Sequence, residues 1–159
     1  MFIKLLERTQ LTIGVTFLAI FIIAIMIQIS SRYLGISVIW TEEVANYSFI
    51  WAIFMGAAVM VNRREHFSFD LLNKKLKGKS RTYLTIFNDI VLVIFNSLIL
   101  YYGYQATKVF WNYNWVSLTN LKMGYVWIAL PIMGATMVIY SLSHLITNVK
   151  SLRVKEVSE

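Results

Sequence analysis

The chain has 159 residues, 58% of them apolar and 14% charged, with a mean hydropathy of +0.62, one Pro, no Cys and a formal net charge of +7. A soluble domain is about 25% charged, and a core of this size could not hide so much apolar surface from water, which excludes an ordinary cytosolic globular domain and a disordered chain. Without Cys there is no disulfide framework, thiolate nucleophile or Cys-based metal site, and the positive charge is set aside as a nucleic-acid signal because of where it lies along the chain.

The elements follow in chain order as one all-α membrane domain over residues 1–159. A spanning helix needs about 20 mostly apolar residues. The first such run covers residues 11–29 and contains no charge. Lys4 and Arg8 precede it as they would a secretory leader, but the run exceeds the usual apolar region of about 7–15 residues and no A-x-A site follows, so it reads as a retained anchor. The second run covers residues 44–61. A basic loop over residues 62–82 follows, holding Arg63, Arg64, Lys74, Lys75, Lys77, Lys79 and Arg81. The third run covers residues 83–107 and contains Asn88, Asp89 and Asn96. The fourth covers residues 123–146 and contains Pro131 and His144. Period-two alternation is absent, which argues against a membrane barrel, and helices satisfy their own backbone in lipid.

Direction comes from the basic residues. The N-terminal segment, the loop over residues 62–82 and the tail with Lys150, Arg153 and Lys155 hold twelve of the fifteen, whereas the other two loops hold only Arg32, Lys108 and Lys122. The positive-inside rule then places both termini and the middle loop in the cytoplasm, and four spans require both termini on one side. Tyr101, Tyr102, Tyr104, Phe110, Trp111, Tyr113, Trp115, Tyr125 and Trp127 cluster at the second outer loop, with Trp40 at the first. They suit an interfacial belt and equally a docking surface for an outside partner. Phe67, Phe69, Leu71, Leu72 and Leu76 among the lysines of the middle loop, and Phe2, Ile3, Leu5 and Leu6 at the start, suit short amphipathic segments in the cytoplasmic interface. The basic loop is expected to meet anionic lipid heads.

Each span carries a face unlike a lipid face. Ser48, Ala52 and Gly56 recur every four residues and would let a second helix approach closely. Trp40, Glu43, Tyr47 and Trp51 form another stripe of the same helix. Thr82, Asp89, Asn96 and Gly103 recur every seven residues, so Asp89, Asn96 and Gly103 are expected to face protein. Pro131 frees the carbonyl of Trp127 and should kink its helix. Asp89 is the one acid inside a span, where a lone charge costs about 2.5–3.5 kcal/mol. A partner is therefore expected for it among His144, Arg63 and Arg64, either as a packing pair or as an ion relay. Arg32, Glu42 and Glu43 bracket a short outer loop where opposite charges can meet, worth little as a surface pair. No Gly-rich phosphate loop, His pair at metal spacing or nucleophile triad can be nominated, so an enzyme is not expected. The residues alone point to an integral subunit of something larger, with a self-contained four-helix transporter or channel using Asp89, or a membrane anchor of an unrelated complex, as alternatives.

Arg32, Trp40-Thr41-Glu42-Glu43, Trp51, Phe54-Met55-Gly56-Ala57-Ala58, Arg63 or Arg64, His66-Phe67 and Asp70 together resemble the signature of the small membrane subunit of tripartite ATP-independent periplasmic (TRAP) transporters, the DctQ-like family. Ser117, Leu121, Tyr125 and Leu130-Pro131-Ile132-Met133-Gly134 extend the resemblance, which covers about residues 28–135. It departs after the Trp-x-Glu-Glu motif, where the family often has a basic residue and Asn46 and Tyr47 stand here. The resemblance implies a bacterial inner-membrane subunit without a cofactor or solute site of its own. It implies sodium-driven uptake of carboxylate solutes such as sialic acids or C4-dicarboxylates. A periplasmic solute-binding protein would deliver the solute, and a large multi-span subunit would hold the solute and sodium. The small subunit would act as a scaffold and help dock the binding protein. On that reading Trp40, Glu42, Glu43, Trp111, Trp115 and Lys122 would face the binding protein.

Overall fold

The computed structural model describes residues 2–64 and 79–157. Five helices occur among them, namely α1 (Phe2–Tyr33), α2 (Trp40–Arg63), α3 (Lys79–Phe110), α4 (Gly124–Trp127) and α5 (Ala129–Val157). Four stretches are long and apolar enough to cross a membrane, with α4 and α5 as far as Ser151 forming one of them. At 32 residues each, α1 and α3 reach about 48 Å at 1.5 Å per residue, longer than a hydrocarbon core of about 30 Å. The helices therefore overrun the apolar runs that reveal them. Ser, Thr and Lys interrupt the hydropathy without breaking a helix, and their polar ends can be solvated beyond the hydrocarbon.

The helices form two antiparallel hairpins, α1 with α2 and α3 with α5, and the hairpins join where α2 meets α5. The core lies on that seam, where Ala58 and Val61 of α2 meet Met133, Met137 and Tyr140 of α5. Ile3 and Leu6 pack against this cluster. The first residues thus continue α1 into the bundle, in place of the separate interfacial helix expected of Phe2, Ile3, Leu5 and Leu6. The expected amphipathic segment around Phe67, Phe69, Leu71, Leu72 and Leu76, with His66, Asp70, Lys74, Lys75 and Lys77, lies outside the described residues.

Turns fix the hairpin ends. Gly35 takes φ +69°, and the Ile36 N–H donates to the Ser31 carbonyl at 2.9 Å. This left-handed stop satisfies orphan carbonyls of α1. Arg64 ends α2 in the same region at φ 60°, its N–H turned back to the carbonyls of Met60 and Val61. A residue with a Cβ pays about 1–2 kcal/mol there, so its side chain must hold something that offsets this. Near the other end, Pro131 leaves the Trp127 carbonyl without its helical donor, and the helix breaks at Ile128 between α4 and α5. The Thr107 hydroxyl lies 3.0 Å from that carbonyl and 2.8 Å from its own Gly103 carbonyl, donating between them, and Phe110 stacks on the Trp127 ring at 4.5 Å.

The close approaches are made by glycines. A Cβ placed on Gly134 would sit 2.8 Å from the Leu100 backbone, and one on Gly14 would sit 3.3 Å from the Met55 Cβ. Gly103 faces Leu130 and Pro131 at 3.0 and 3.2 Å. Gly56 makes no such approach within the chain. It is exposed, and a Cβ there would meet nothing within 4 Å. The Ser48-Ala52-Gly56 stripe turns as it climbs α2, so Ser48 is buried, Ala52 half-buried and Gly56 open, while the contact with α1 runs through Met55 and Gly14.

Candidate functional site

The polar side chains group at three levels of the bundle. At the end that carries both termini, two consecutive arginines diverge from the end of α2. Arg63 pairs with Glu7 of α1 at 2.8 Å, and Asn62 donates to the same carboxylate at 2.9 Å. Arg64, turned by its left-handed backbone, reaches Asp89 of α3 at 3.4 Å. Asn148 of α5 also donates to Asp89. Asp89 is 4% exposed, so a charge there needs both partners. Of the three partners expected for Asp89, the structure uses Arg64. Arg63 goes to Glu7, and the His144 ring meets the Asn62 carbonyl at 2.9 Å. Two junctions thus tie α1 to α2, and α2 to α3 and α5, through side chains of α2.

One level inward, Gln10 of α1 is 3% exposed and bonds Thr136 of α5 at 2.8 Å, while the Tyr140 hydroxyl donates to its amide oxygen. Asn96 of α3, 1% exposed, donates to Ser141 of α5 at 2.8 Å. A polar group in an apolar medium is costly unless paired, and these pairs fix the rotation of α1 and α3 against α5. Gln10, Thr136 and Tyr140 escaped the sequence reading because nothing in a single chain's spacing says which helix faces which.

The opposite end is closed by residues 111–123. The loop doubles back on itself, with Trp115 N–H to Leu121 O at 3.0 Å and Met123 N–H to Tyr113 O at 2.7 Å around an Asn114–Lys122 bridge. It is seated on α2 by Glu43, whose carboxylate accepts the N–H groups of Val116 at 2.7 Å and Ser117 at 2.8 Å. Tyr47, one turn along, meets Trp115 edge-on at 4.5 Å, and the Trp115 indole donates to the Lys122 carbonyl. Trp51, one turn further, donates to the Tyr125 carbonyl at 3.1 Å and stacks on Phe17 of α1. Glu43 and Tyr47 of the Trp40-to-Trp51 stripe therefore grip the chain's own loop, and Trp51 grips α4.

The residues expected to face a partner separate. Trp40 and Glu42 are exposed at the start of α2, and Trp40 lines an open groove with Ser37, Val38, Val116, Ser117 and Leu118. Trp111 lines a different depression beside Tyr104, Lys108 and Pro131, and Lys122 is exposed on the loop. Glu43 and Trp115 are half-buried and engaged within the chain. Arg32 is exposed at the end of α1 and, among the described residues, forms no ion pair with Glu42 or Glu43. Among the described residues no group of three His, Cys, Asp or Glu could hold a metal ion.

Comparison with known proteins identifies relatives along nearly the whole chain. The family model described as the DctQ component of tripartite ATP-independent periplasmic transporters matches residues 10–151. A Haemophilus influenzae protein assigned as a TRAP transporter small permease is 28% identical over 138 residues, covering 85% of this chain and 84% of its own length. The Vibrio cholerae sialic acid TRAP transporter small permease protein SiaQ is 25% identical over 152 residues, covering 94% of this chain and 86% of its own length. The Haemophilus influenzae sialic acid TRAP transporter permease protein SiaT is 25% identical over 124 residues, which are 78% of this chain but 20% of that longer protein.

Proposed function

We propose a stationary, supporting role for this chain, which belongs to the DctQ component family of tripartite ATP-independent periplasmic transporters. It is a TRAP small permease subunit and a multi-pass protein of the bacterial inner membrane. Within that frame the chain packs beside a large permease subunit and widens its fixed part. The termini and the basic middle loop face the cytoplasm, where their basic residues meet anionic lipid heads. Residues 34–40 and 111–123 face the periplasm and help seat a solute-binding protein. The transporter takes up a carboxylate solute on a sodium gradient, with the solute and sodium held by the large subunit. Sialic acid is the first solute to try, because the Vibrio cholerae relative is named for it, and a C4-dicarboxylate is the second.

The observation that carries the supporting role is the internal pairing of the polar side chains. Gln10 with Thr136 and Tyr140, Asn96 with Ser141, and Asp89 with Arg64 and Asn148 are joined helix to helix. They hold the bundle in one arrangement, whereas an alternating-access site needs polar groups that can exchange partners. The match of this chain to a fifth of the longer permease SiaT supports a large-permease companion. The test is mild-detergent purification of the tagged chain from its native membrane. A much larger multi-span permease should come with it in constant ratio. Recovery of the chain alone, or with a partner unrelated to transport, would overturn the assignment.

A further inference from the structure

At the end opposite the termini the basic residues are few, and one of them, Lys108, is set into a depression of about 340 Å³ lined by Tyr104, Thr107, Trp111, Asn112, Ile128 and Pro131. The notch falls where the last span breaks at Ile128, ahead of Pro131, and the buried Thr107 hydroxyl in it is already spent on the Gly103 and Trp127 carbonyls. Trp111 is a fixed wall. A Cβ on Gly124 would stand 2.5 Å from its ring, so glycine lets the indole lie there, and Tyr125 meets it edge-on at 6.2 Å. Lys108 stands in the last turn of α3 with its ammonium 4.8 Å from the centre of the Tyr104 ring. Among the described residues it forms no ion pair, and no carboxylate lines the depression.

Trp and Tyr rings settle at the headgroup level of a bilayer, and a lysine near the end of a span extends its ammonium to the same level. Tyr104 and Trp111 flank Lys108, so its unpaired charge stands among lipid phosphates. Tyr101, one turn below Tyr104, and Ile132, one turn below Ile128, are exposed and carry the two walls on toward the bilayer centre as apolar surface. That continuation fits an acyl chain and has no use for a soluble anion. The volume lies near the lower end of ligand pockets, about 300–1,000 Å³, which suits a headgroup with its chains left outside. A zwitterionic headgroup would bring an ammonium toward Lys108 with no carboxylate to receive it. A glycerol headgroup adds only hydroxyls, which the Asn112 amide can bond. We propose that this depression holds the phosphate and glycerol of one anionic phospholipid, with Lys108 on the phosphate and Trp111 and Pro131 as walls. The site stands on the membrane spans and not on the supporting role proposed above, and it lies at the far end of the bundle from the basic middle loop.

The experiment uses the full chain, with any protein that co-purifies, in nanodiscs of phosphatidylcholine alone or with phosphatidylglycerol added. Acylation of Lys108 by an amine-directed reagent, located by peptide mass, should proceed in phosphatidylcholine and slow about fivefold with phosphatidylglycerol, whereas Lys122, exposed on the loop, should slow by less than about twofold. Native mass spectrometry of the detergent-purified chain supplies a second readout. Wild type should retain one phosphatidylglycerol about fivefold more strongly than phosphatidylcholine. K108Q should lose that one lipid, while K108R, whose guanidinium also pairs with phosphate, and K122Q should keep it. Equal slowing at Lys108 and Lys122 would reduce the effect to surface charge and overturn the site, as would a K108Q variant that retains the lipid. Lys108 already unreactive in phosphatidylcholine would show that a protein partner covers the depression in place of a lipid. Displacement of the retained lipid by soluble glycerol phosphate would assign the site to a free anion and overturn the lipid.

Discussion

Replacing Arg64 with Ala should destabilise the bundle by about 1–3 kcal/mol, and removing the charge of Asp89 at the same time should recover most of the loss. R64A leaves a carboxylate that is 4% exposed with Asn148 as its remaining partner among the described residues. The reverse change is milder. D89N keeps a group of the same shape able to bond Asn148, and the Arg64 side chain, 42% exposed, can reach water along its stem. The expected order of stability is wild type, then D89N and the R64A/D89N pair, then R64A. Arg64 also sits at φ 60°, so R64G should lose less than R64A, by about 1 kcal/mol, because glycine takes that backbone without strain. Thermal unfolding in mild detergent, followed by the intrinsic Trp fluorescence, reads the whole series. Equal losses for R64A and the double variant would show that the pair is not what Arg64 contributes.

Gly134→Ala should cost about 1–3 kcal/mol through overpacking. The added carbon would stand 2.8 Å from the backbone of Leu100, and backbone cannot turn aside as a flexible side chain can. Helices α3 and α5 must separate at that level, which also strains the Asn96–Ser141 bond two turns away. The control is Gly56→Ala, where a Cβ meets nothing within 4 Å and the helix gains up to about 1 kcal/mol from the better propensity of Ala. G134A should therefore unfold earlier than wild type and G56A at the same temperature or later. A tolerated G134A would mean that the two hairpin helices lie further apart than described.

The contrast between these glycines shows what could be read from the sequence. The four spans were legible because lipid demands long apolar helices, and apolar residues dominate each run. The family was legible from the spacing of Trp40, Glu42, Glu43 and the Phe54-to-Ala58 stretch, and the match over residues 10–151 shows it. A break near Pro131 follows from its missing N–H. Rotation about a helix axis was not legible, because it depends on which neighbour the helix meets. That single unknown is why a four-residue stripe could not say whether Gly56 packs within the chain or against a partner; the fold leaves it open at the surface of this chain. It also hid the contact of Glu43, which stands in the first turn of α2 and bonds the loop over residues 111–123. Asn148 and Gln10 were passed over for the same reason, since a polar residue in a span declares a need without naming its partner. Thr107 could have been suspected from the rule that a Pro-freed carbonyl seeks a donor, yet only the hairpin shows that α3 supplies it.

These particulars support one view of the chain, a rigid pair of hairpins whose polar groups are spent on each other and whose loop over residues 111–123 is held from within. Its most direct test is uptake in proteoliposomes that contain the large permease and its loaded binding protein under an inward sodium gradient, with and without this chain. The account predicts uptake only when all three proteins and the gradient are present, and none from this chain alone. Uptake by this chain on its own, or undiminished uptake by the large permease without it, would contradict the account.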